Sequence, residues 1–273
     1  MSFFLKKIKN GNKRTIVILS LIKFSYFRNY NSLNSNNYES DADVKQANPS
    51  ISDIYNEAFY EGQARTSYQS AKSTIDALNT FLPEIGAVLD VGCGVGTWLK
   101  AWKEKYPELK IQGIDCNEIS EQFLYIKRSF IDIRNLEDLS SSEDSYCKYD
   151  LVESLEVGEH LPETSAEQYV NFLCNHGDLI LFSAAIPKQT GDHHINEQYP
   201  EYWNKLFRKN GFVCFDFLRQ IIWNETSISW WYRQNILVFA KGDMVNELKN
   251  RGLTPCTTVN ALYHPDLVKM HLQ

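Results

Sequence analysis

The sequence predicts an α/β protein whose core is a doubly wound, seven-stranded and mostly parallel sheet. Three observations support this prediction. Short apolar runs alternate with helical patterns through most of the chain. One apolar run, Ala87–Val91, leads into a turn with three glycines, and a helical pattern follows that turn. Acidic residues follow several of the apolar runs, and ligands of such sheets bind at the carboxyl ends of the strands.

The helices are predicted from apolar residues spaced three and four positions apart. Two helices are expected before the first strand, at residues 53–60 and 68–81, and Pro83 closes the second. The stretch 97–105, directly after the glycine turn, places two tryptophans on one helical face. A later helix is expected to end at Leu206–Gly211, with the glycine as its C-cap.

The strands are predicted from short apolar runs that end at acids or turn residues. After Ala87–Val91, the remaining six are expected at residues 109–114, 129–133, 149–155, 179–182, 212–217 and 235–240. The last two are expected to pair like a hairpin, with a crossover loop at 223–231 between them. Aromatic residues in that loop either stack on a planar ligand or pack a cap against the sheet.

Length and composition indicate one catalytic domain with extensions. The chain has 273 residues, of which 43% are hydrophobic and 13% aromatic, enough for a large core. We place a basic extension and a polar linker at residues 1–50, the catalytic domain at 51–242, and a C-terminal helix and tail at 243–273. The Asn- and Ser-rich stretch 29–50 has too few large aliphatic residues to order itself, which identifies the linker.

The net charge of −6 hides an asymmetry between the N-terminus and the rest of the chain. Residues 1–38 contain no acid and seven bases: Lys6, Lys7, Lys9, Lys13, Arg14, Lys23 and Arg28. The rest is therefore clearly acidic. An acidic body argues against a nucleic-acid partner, because such binding depends on neutralising phosphates with Lys and Arg.

The N-terminal segment also carries an apolar run, Thr15–Ile22. The run is too short to span a bilayer, which needs about 20 residues, and no small-residue cleavage site follows it. Two interpretations stay open: a basic, apolar segment that contacts an anionic membrane surface, or a loosely packed extension. Six scattered cysteines without a C-x-x-C pair favour reduced thiols. We therefore expect a cytoplasmic protein that can contact the inner membrane surface.

The glycine turn Gly92–Gly96 is expected to bind a nucleotide-like group. Its glycines allow positive φ angles and let a ligand approach the backbone closely. The G-x-G-x-G spacing differs from the dinucleotide fingerprint G-x-G-x-x-G, and no Lys-Ser/Thr pair follows. A pyrophosphate ligand is therefore disfavoured.

The string Val88–Gly96 resembles motif I of the class I S-adenosylmethionine-dependent methyltransferases. The resemblance implies the Rossmann-like methyltransferase fold and S-adenosylmethionine (SAM) as the cofactor. Asp115, about 20 residues beyond the glycines, is placed to accept hydrogen bonds from a ribose diol. The resemblance places Asp132 at the adenine amino group. The predicted cofactor contacts are Asp90, Gly92, Cys93, Gly94, Gly96, Asp115, Cys116, Asp132, Ile133 and Leu155.

A second string, SLEVGEHLP at Ser154–Pro162, resembles the motif after the fourth strand in a subset of these methyltransferases, including O-methyltransferases of ubiquinone biosynthesis and of small-RNA ends. In that subset an E-x-x-E-H arrangement and a later His bind a divalent metal that holds a substrate diol. The matching residues here are Glu156, Glu159, His160 and His194, with an ion such as Mg²⁺. On one helical turn, the i, i+3 and i+4 side chains share a face. The helix dipole also favours acids at a helix start, so a structural role stays open.

His194 lies in Gln189–Trp203, which resembles an H-[VI]-N-E-Q-[WY]-P signature of bacterial methyltransferases of surface-glycan and small-metabolite biosynthesis. The resemblance implies O-methylation of a sugar, a glycan precursor or a small metabolite. His160 and His194 are the candidate catalytic bases, with Glu156 orienting an imidazole.

Three alternatives stay open. An N- or C-methyltransferase would share the cofactor half, although no Asn/Asp-Pro-Pro-Tyr string follows the fourth strand. An NAD-dependent oxidoreductase would need the dinucleotide fingerprint. A non-catalytic protein could keep the SAM-binding fold.

Overall fold

A computed structural model describes residues 6–10, 13–17, 57–139, 148–191 and 193–272. It contains a two-stranded hairpin and a seven-stranded sheet. The strands are β1 (Lys6–Asn10), β2 (Lys13–Val17), β3 (Ala87–Val91), β4 (Lys110–Asp115), β5 (Ile131–Ile133), β6 (Leu151–Leu155), β7 (Leu179–Ser183), β8 (Val213–Phe215) and β9 (Leu237–Ala240).

Eight α-helices lie in the described part of the chain. They are α1 (Glu57–Asn79), α2 (Thr97–Lys105), α3 (Ala166–His176), α4 (Pro200–Lys209), α5 (Leu218–Ile222), α6 (Trp230–Asn235), α7 (Asp243–Asn250) and α8 (Pro265–Leu272). Short 3-10 helices cover Glu121–Phe123, Arg128–Phe130, Gly158–His160 and Glu163–Ser165.

The strand order in the large sheet is β5-β4-β3-β6-β7-β9-β8. The strands from β3 to β7 pair in parallel, whereas β9 pairs antiparallel with both β7 and β8. The chain enters the large sheet at the central strand β3, moves outward to β5, and then continues on the other side of β3. The carboxyl ends of β3, β4 and β6 therefore meet at a switch point, where doubly wound sheets bind their ligands. The predicted fold class is confirmed.

Two hydrophobic layers cover the two faces of the sheet, because alternate residues of each strand point to opposite sides. One layer contains Ile75 from α1 and Trp98 and Trp102 from α2. The other contains Tyr169 from α3 and Trp203 from α4. All five side chains are almost fully buried, so both faces hold the carboxyl edge rigidly in place.

The region before β3 differs from the prediction of two helices. The start of the first predicted helix, residues 53–56, lies outside the described residues. Among the described residues of this region one helix, α1, runs from Glu57 to Asn79. Its segment 61–67 contains Gly62 but no proline, and one glycine inside a helix costs only about 1 kcal/mol. Burial of Ile75 and Leu78 against the sheet outweighs that cost.

Several predicted boundaries also shift. The predicted crossover loop ends in the short helix α6, so β9 begins at Leu237 instead of 235. Residues 128–130 form a 3-10 turn before β5. The C-terminal region contains two helices, α7 and α8, where one helix and a tail were expected.

The N-terminal hairpin pairs β1 with β2 in antiparallel register. The first residues of the apolar run Thr15–Ile22 thus lie in a strand. Within the described ranges, no helix is long and apolar enough to cross a membrane. The predicted linker at residues 29–50 lies outside the described residues.

Candidate active site

The glycine turn joins the carboxyl end of β3 to the first turn of α2. Gly92, Gly94 and Gly96 all have positive φ angles, of 81°, 55° and 81°. The backbone N–H groups of Gly92 and Cys93 donate to the carbonyl of Ile114 on β4, at 2.7 and 3.1 Å. The turn is therefore tied to the neighbouring strand.

The three glycines serve different purposes. A Cβ atom on Gly92 would lie 2.4 Å from Val157, and one on Gly96 would lie 2.6 Å from Ile126. These two glycines make room for protein atoms. A Cβ atom on Gly94 would meet nothing within 4 Å among the described residues, so this position borders open space. Gly94 thus provides the surface that a ligand can approach closely.

Asp115 ends β4 directly beside this turn. Its carboxylate accepts hydrogen bonds from the backbone N–H of Gly94 at 2.7 Å and of Asn117 at 2.9 Å. The side chain is almost fully buried. The structure therefore brings together the glycine turn and the acid that the sequence analysis paired with it. Cys116, the next residue, is partly exposed.

The other predicted cofactor contacts divide into buried and exposed groups. Asp90 and Leu155 are buried, at the carboxyl ends of β3 and β6. Asp132 and Ile133 end β5 and are exposed. The carboxylate of Asp132 lies 3.5 Å from Arg134. β5 pairs with β4, so these two residues border the outer side of the same edge.

Glu156 does not adopt the helical geometry that the sequence analysis assumed. Its φ angle is 55°, in the left-handed region, and it forms a bend directly after β6. Its carboxylate accepts hydrogen bonds from Nε2 of Gln189 at 2.8 Å and from Nδ2 of Asn235 at 3.1 and 3.3 Å. Burial raises the pKa of Glu156, and these amide donors partly counteract the rise. Of the E-x-x-E-H string, only Glu159 and His160 share one turn. The Glu156 side chain is bound by the amides of Gln189 and Asn235 instead.

Glu159, His160 and His194, three of the four predicted metal ligands, lie close together. One ligand atom from each lies within 4.8 Å of the others. Glu159 and His160 belong to the 3-10 turn Gly158–His160, and His194 comes from the loop after β7. The backbone N–H groups of Ile195 and Asn196 donate to the carbonyl of Glu159, at 2.9 and 3.0 Å, which fixes the loop against that turn.

Several polar atoms of this cluster have no hydrogen-bond partner among the described residues. They are both carboxylate oxygens of Glu159, Nδ1 of His160 and Nε2 of His194. Buried polar atoms are rarely left unsatisfied, and each such group costs about 1–3 kcal/mol. The cluster is thus built to receive a cation or a polar group of a ligand.

Burial governs the electrostatics of the cluster. Burial, and then the neighbouring Glu156 carboxyl, raise the pKa of Glu159 well above its ordinary value. Burial and the adjacent His194 lower the pKa of His160 to about 4, against a smaller opposing effect of the His193 backbone. His160 is therefore a neutral imidazole at pH 7, able to donate a lone pair to a metal or a proton.

The comparison with protein families decides the class of the chain. A family described as a methyltransferase domain matches residues 60–235, more than half of the sequence. The chain belongs to this family. The match includes the glycine turn, Asp115 and the Glu159–His160–His194 cluster. The comparison with curated proteins finds no match.

Solved methyltransferase structures resemble this methyltransferase only distantly. Human N-acetylserotonin methyltransferase, solved with SAM, is 15% identical with a TM-score of 0.47; the match covers 67% of this chain and 55% of that chain. The plantazolicin methyltransferase BpumL is 14% identical with a TM-score of 0.47, covering 68% and 88%. Magnesium protoporphyrin IX methyltransferase from Synechocystis PCC 6803 is 22% identical with a TM-score of 0.43, covering 69% and 88%.

Sequence reasoning assigned no role to three polar residues of the methyltransferase site. Gln189 and Asn235 bind Glu156, and Glu197 accepts a hydrogen bond from His194 at 2.9 Å. For Glu197, the separation of three positions from His194 in the sequence was the available signal, because polar side chains three positions apart can meet in a turn. Asn235 lies 79 positions from Glu156, and no local pattern could pair them.

Proposed function

We propose that this methyltransferase uses SAM to methylate a hydroxyl group of a sugar, a glycan precursor or another small metabolite. The observation that carries the proposal is the cluster of Glu159, His160 and His194, each of which has at least one buried polar atom without a hydrogen-bond partner among the described residues. A hydroxyl must lose its proton to accept a methyl group, and this cluster offers groups that can promote the loss. An amine nucleophile would need no such arrangement once it is neutral.

The cluster lies next to the proposed cofactor site. The side chain of Val157 fills the space beside Gly92, so the segment after β6 packs directly on the glycine turn. Gly94 and Asp115 then offer a close backbone approach and a carboxylate for a ribose diol. Bound SAM supplies a methyl group on a sulfonium sulfur, activated for attack by a nucleophile in line. The protein contributes mainly by positioning the two reactants.

The same three side chains fit a divalent metal ion. A carboxylate and two imidazoles are a common donor set, and unpartnered buried atoms on all three favour a bound cation. Two imidazoles favour Mn²⁺, Fe²⁺, Co²⁺ or Zn²⁺ over the Mg²⁺ suggested by the sequence, because Mg²⁺ prefers oxygen ligands. Such an ion, held by Glu159, His160 and His194, would supply Lewis-acid chemistry that eases loss of the proton from the acceptor hydroxyl. Glu156 stays outside this set, held by its amide donors.

Without a metal, the imidazoles of His160 and His194 would themselves contact the acceptor hydroxyl and take its proton. The pKa of His160 is lowered to about 4, so its ring is neutral at pH 7 but is a weaker base than an ordinary imidazole. Nδ1 of His160 and Nε2 of His194 have no hydrogen-bond partner among the described residues, so either atom is free to contact a bound hydroxyl. Both versions place the acceptor hydroxyl at this cluster.

One experiment tests methyl transfer to a hydroxyl and its dependence on a metal separately. The purified protein is treated with EDTA, dialysed, and assayed for S-adenosylhomocysteine release with a panel of hydroxylated sugars and metabolites, with and without added Mn²⁺, Co²⁺, Zn²⁺ or Mg²⁺. We expect activity that falls on chelation and returns with a transition metal. Full activity in EDTA would remove the metal, and methylation of amines alone would remove the hydroxyl acceptor.

Two variants localise the activity. Glu159→Gln should abolish both Co²⁺ binding and hydroxyl methylation while SAM binding is kept. Glu163→Gln, on the neighbouring exposed turn, is the matched control and should behave like the wild type. Equal loss of SAM binding in Glu159→Gln would indicate a general folding defect.

We also propose where the enzyme works and what it binds. The acceptor is a small molecule or glycan, not a nucleic acid, as the acidic body favours. Cytoplasmic placement is supported by the scattered cysteines, five of which are free thiols in the described part. The bases of residues 1–38 support contact with the inner membrane surface.

A further inference from the structure

Glu197 lies near the end of the loop that carries His194, three positions before α4 begins. Its carboxylate receives three hydrogen bonds: from the backbone N–H of Lys188 at 2.8 Å, from the backbone N–H of Thr190 at 2.7 Å, and from Nδ1 of His194 at 2.9 Å. The His194 side chain is only 3% exposed and that of Glu197 is 19% exposed. A largely buried carboxylate thus holds both the loop backbone and the imidazole.

The loop needs this support because its backbone is strained. Lys188, Thr190 and His193 all have positive φ angles, of 71°, 57° and 61°, although none is glycine. Such conformations persist only where surrounding interactions enforce them, and they concentrate at functional sites. Two of the three strained residues donate their N–H groups to Glu197.

The chemistry of the carboxylate decides which nitrogen of His194 carries the proton. An ionised carboxylate only accepts hydrogen bonds, so Nδ1 of His194 must be the donor. In the neutral ring, Nε2 then keeps its lone pair. Nδ1 is held by Glu197, whereas Nε2 has no hydrogen-bond partner among the described residues, and His194 as a residue belongs to the cluster with Glu159 and His160. Nε2 is therefore the nitrogen left for a ligand of the cluster.

We propose that Glu197 is a positioning residue that fixes His194 in the Nδ1–H tautomer and directs the Nε2 lone pair toward Glu159 and His160. The role rests on the proposed function, because the lone pair serves either a bound metal ion or the proton of the acceptor hydroxyl. Carboxylates that orient a ligating imidazole in this way are common around metal ions. In this role Glu197 acts through His194.

The tautomer can be read without metal, SAM or acceptor. Long-range ¹H–¹⁵N correlation spectra of the ¹⁵N-labelled, chelated full chain report which imidazole nitrogens are protonated. The chain has six histidines, and His194→Gln assigns the relevant signals by their disappearance. We expect a protonated Nδ1 and an unprotonated Nε2 for His194 in the wild type, and a mixture of tautomers in Glu197→Ala. A protonated Nε2 in the wild type, or unchanged signals in Glu197→Ala, would overturn the proposal.

Co²⁺ titration, followed by its visible absorption, gives a second readout. Glu197→Ala should weaken Co²⁺ binding by about 10- to 100-fold, and Glu197→Gln, which keeps one acceptor oxygen, should lie between this variant and the wild type. Glu167→Ala removes an exposed carboxylate that pairs with Lys209 and should bind Co²⁺ like the wild type. A lowered melting temperature with unchanged Co²⁺ affinity and tautomer would show that Glu197 only stabilises the loop.

These readouts keep the two proposals apart. If the wild type binds no Co²⁺ but His194 shows the Nδ1–H tautomer that is lost in Glu197→Ala, the metal is wrong and the role of Glu197 stands. If Glu197→Ala does not fold, Glu197→Gln decides by the same spectra, since its weaker, neutral acceptor should still increase the Nε2–H population.

Discussion

Asn235, the last residue of α6, donates from Nδ2 to both carboxylate oxygens of Glu156, at 3.1 and 3.3 Å. Both residues are almost fully buried. The contact joins the helix before the last strand to the connection after β6. The buried carboxylate at the site therefore depends on an amide from the far end of the domain.

We predict that Asn235→Ala lowers the free energy of unfolding by about 1–3 kcal/mol. The substitution leaves the buried Glu156 with fewer donors, and an unsatisfied buried polar group costs about this amount. Urea denaturation measures the change. Asn250→Ala, at an exposed position on α7, is the control and should stay within about 0.5 kcal/mol of the wild type. Equal stability of the two variants would contradict the role of Asn235.

The glycine turn allows a sharper test, because Gly92 and Gly94 border different surroundings. In Gly92→Ala the new methyl group collides with Val157, and positive φ adds strain. We expect a loss of roughly 2–4 kcal/mol in thermal unfolding. The double variant Gly92→Ala, Val157→Ala should recover part of this loss. If it does not, the collision is not the cause.

Gly94→Ala should destabilise the fold less than Gly92→Ala but should weaken SAM binding. No described atom lies near the new methyl group, so only the positive φ of 55° costs stability, about 1–2 kcal/mol. The methyl group would occupy the open space that we assign to SAM. Calorimetry should therefore show SAM binding weakened by at least tenfold in a folded protein. SAM binding at wild-type affinity would place the cofactor elsewhere.

Cys256 is predicted to be a reactive thiol. A hydrogen bond with the Cys214 thiol lowers the pKa of Cys256 to about 7, while burial raises the pKa of Cys174 to about 12. The thiolate is the reactive form, so alkylation of Cys256 should rise about tenfold per unit up to pH 7 and then level off. Cys174 should react far more slowly throughout this range.

Iodoacetamide labelling followed by peptide mass spectrometry measures these rates. Cys256→Ser should remove the fast component and leave the slow labelling of Cys174 unchanged. A fast component that persists in Cys256→Ser would assign the reactive thiol to another cysteine.

The basic N-terminus gives a prediction about membranes. Full-length protein should bind vesicles that contain anionic lipid and should release at high salt. Replacing Lys6, Lys7 and Lys9 by Gln should weaken binding roughly hundredfold, at about 1 kcal/mol per lysine. Co-sedimentation measures the binding. Equal binding to neutral vesicles would contradict the electrostatic interpretation.

Local patterns predicted the frame of the fold well. The apolar run before the glycine turn and the acid 19 positions after Gly96 are properties of short segments, and Asp115 indeed lies beside Gly94. The sequence also grouped Glu159, His160 and His194. It failed at Glu156, because helical spacing was assumed where a left-handed residue follows a strand.

The rest depended on contacts between distant segments. The backbone N–H of Glu156 donates to Ser183 at the end of β7, and that parallel pairing fixes its unusual conformation. The partners Gln189 and Asn235 come from the loop after β7 and from the end of α6. Only the assembled sheet brings these segments together, so their roles could not be recognised from spacing.

The position of β9 has a consequence for synthesis of the chain. The edge strand β8 pairs with β9, and the backbone of Cys214 in β8 also forms an isolated antiparallel β-bridge with Cys256. In the described part, both partners of β8 are therefore translated after it. Until residue 240 leaves the ribosome, the edge of β7 that β9 will cover is unpaired, and open edges promote aggregation. A nascent chain stalled between 183 and 240 should therefore depend on chaperones more than either a shorter or a complete one.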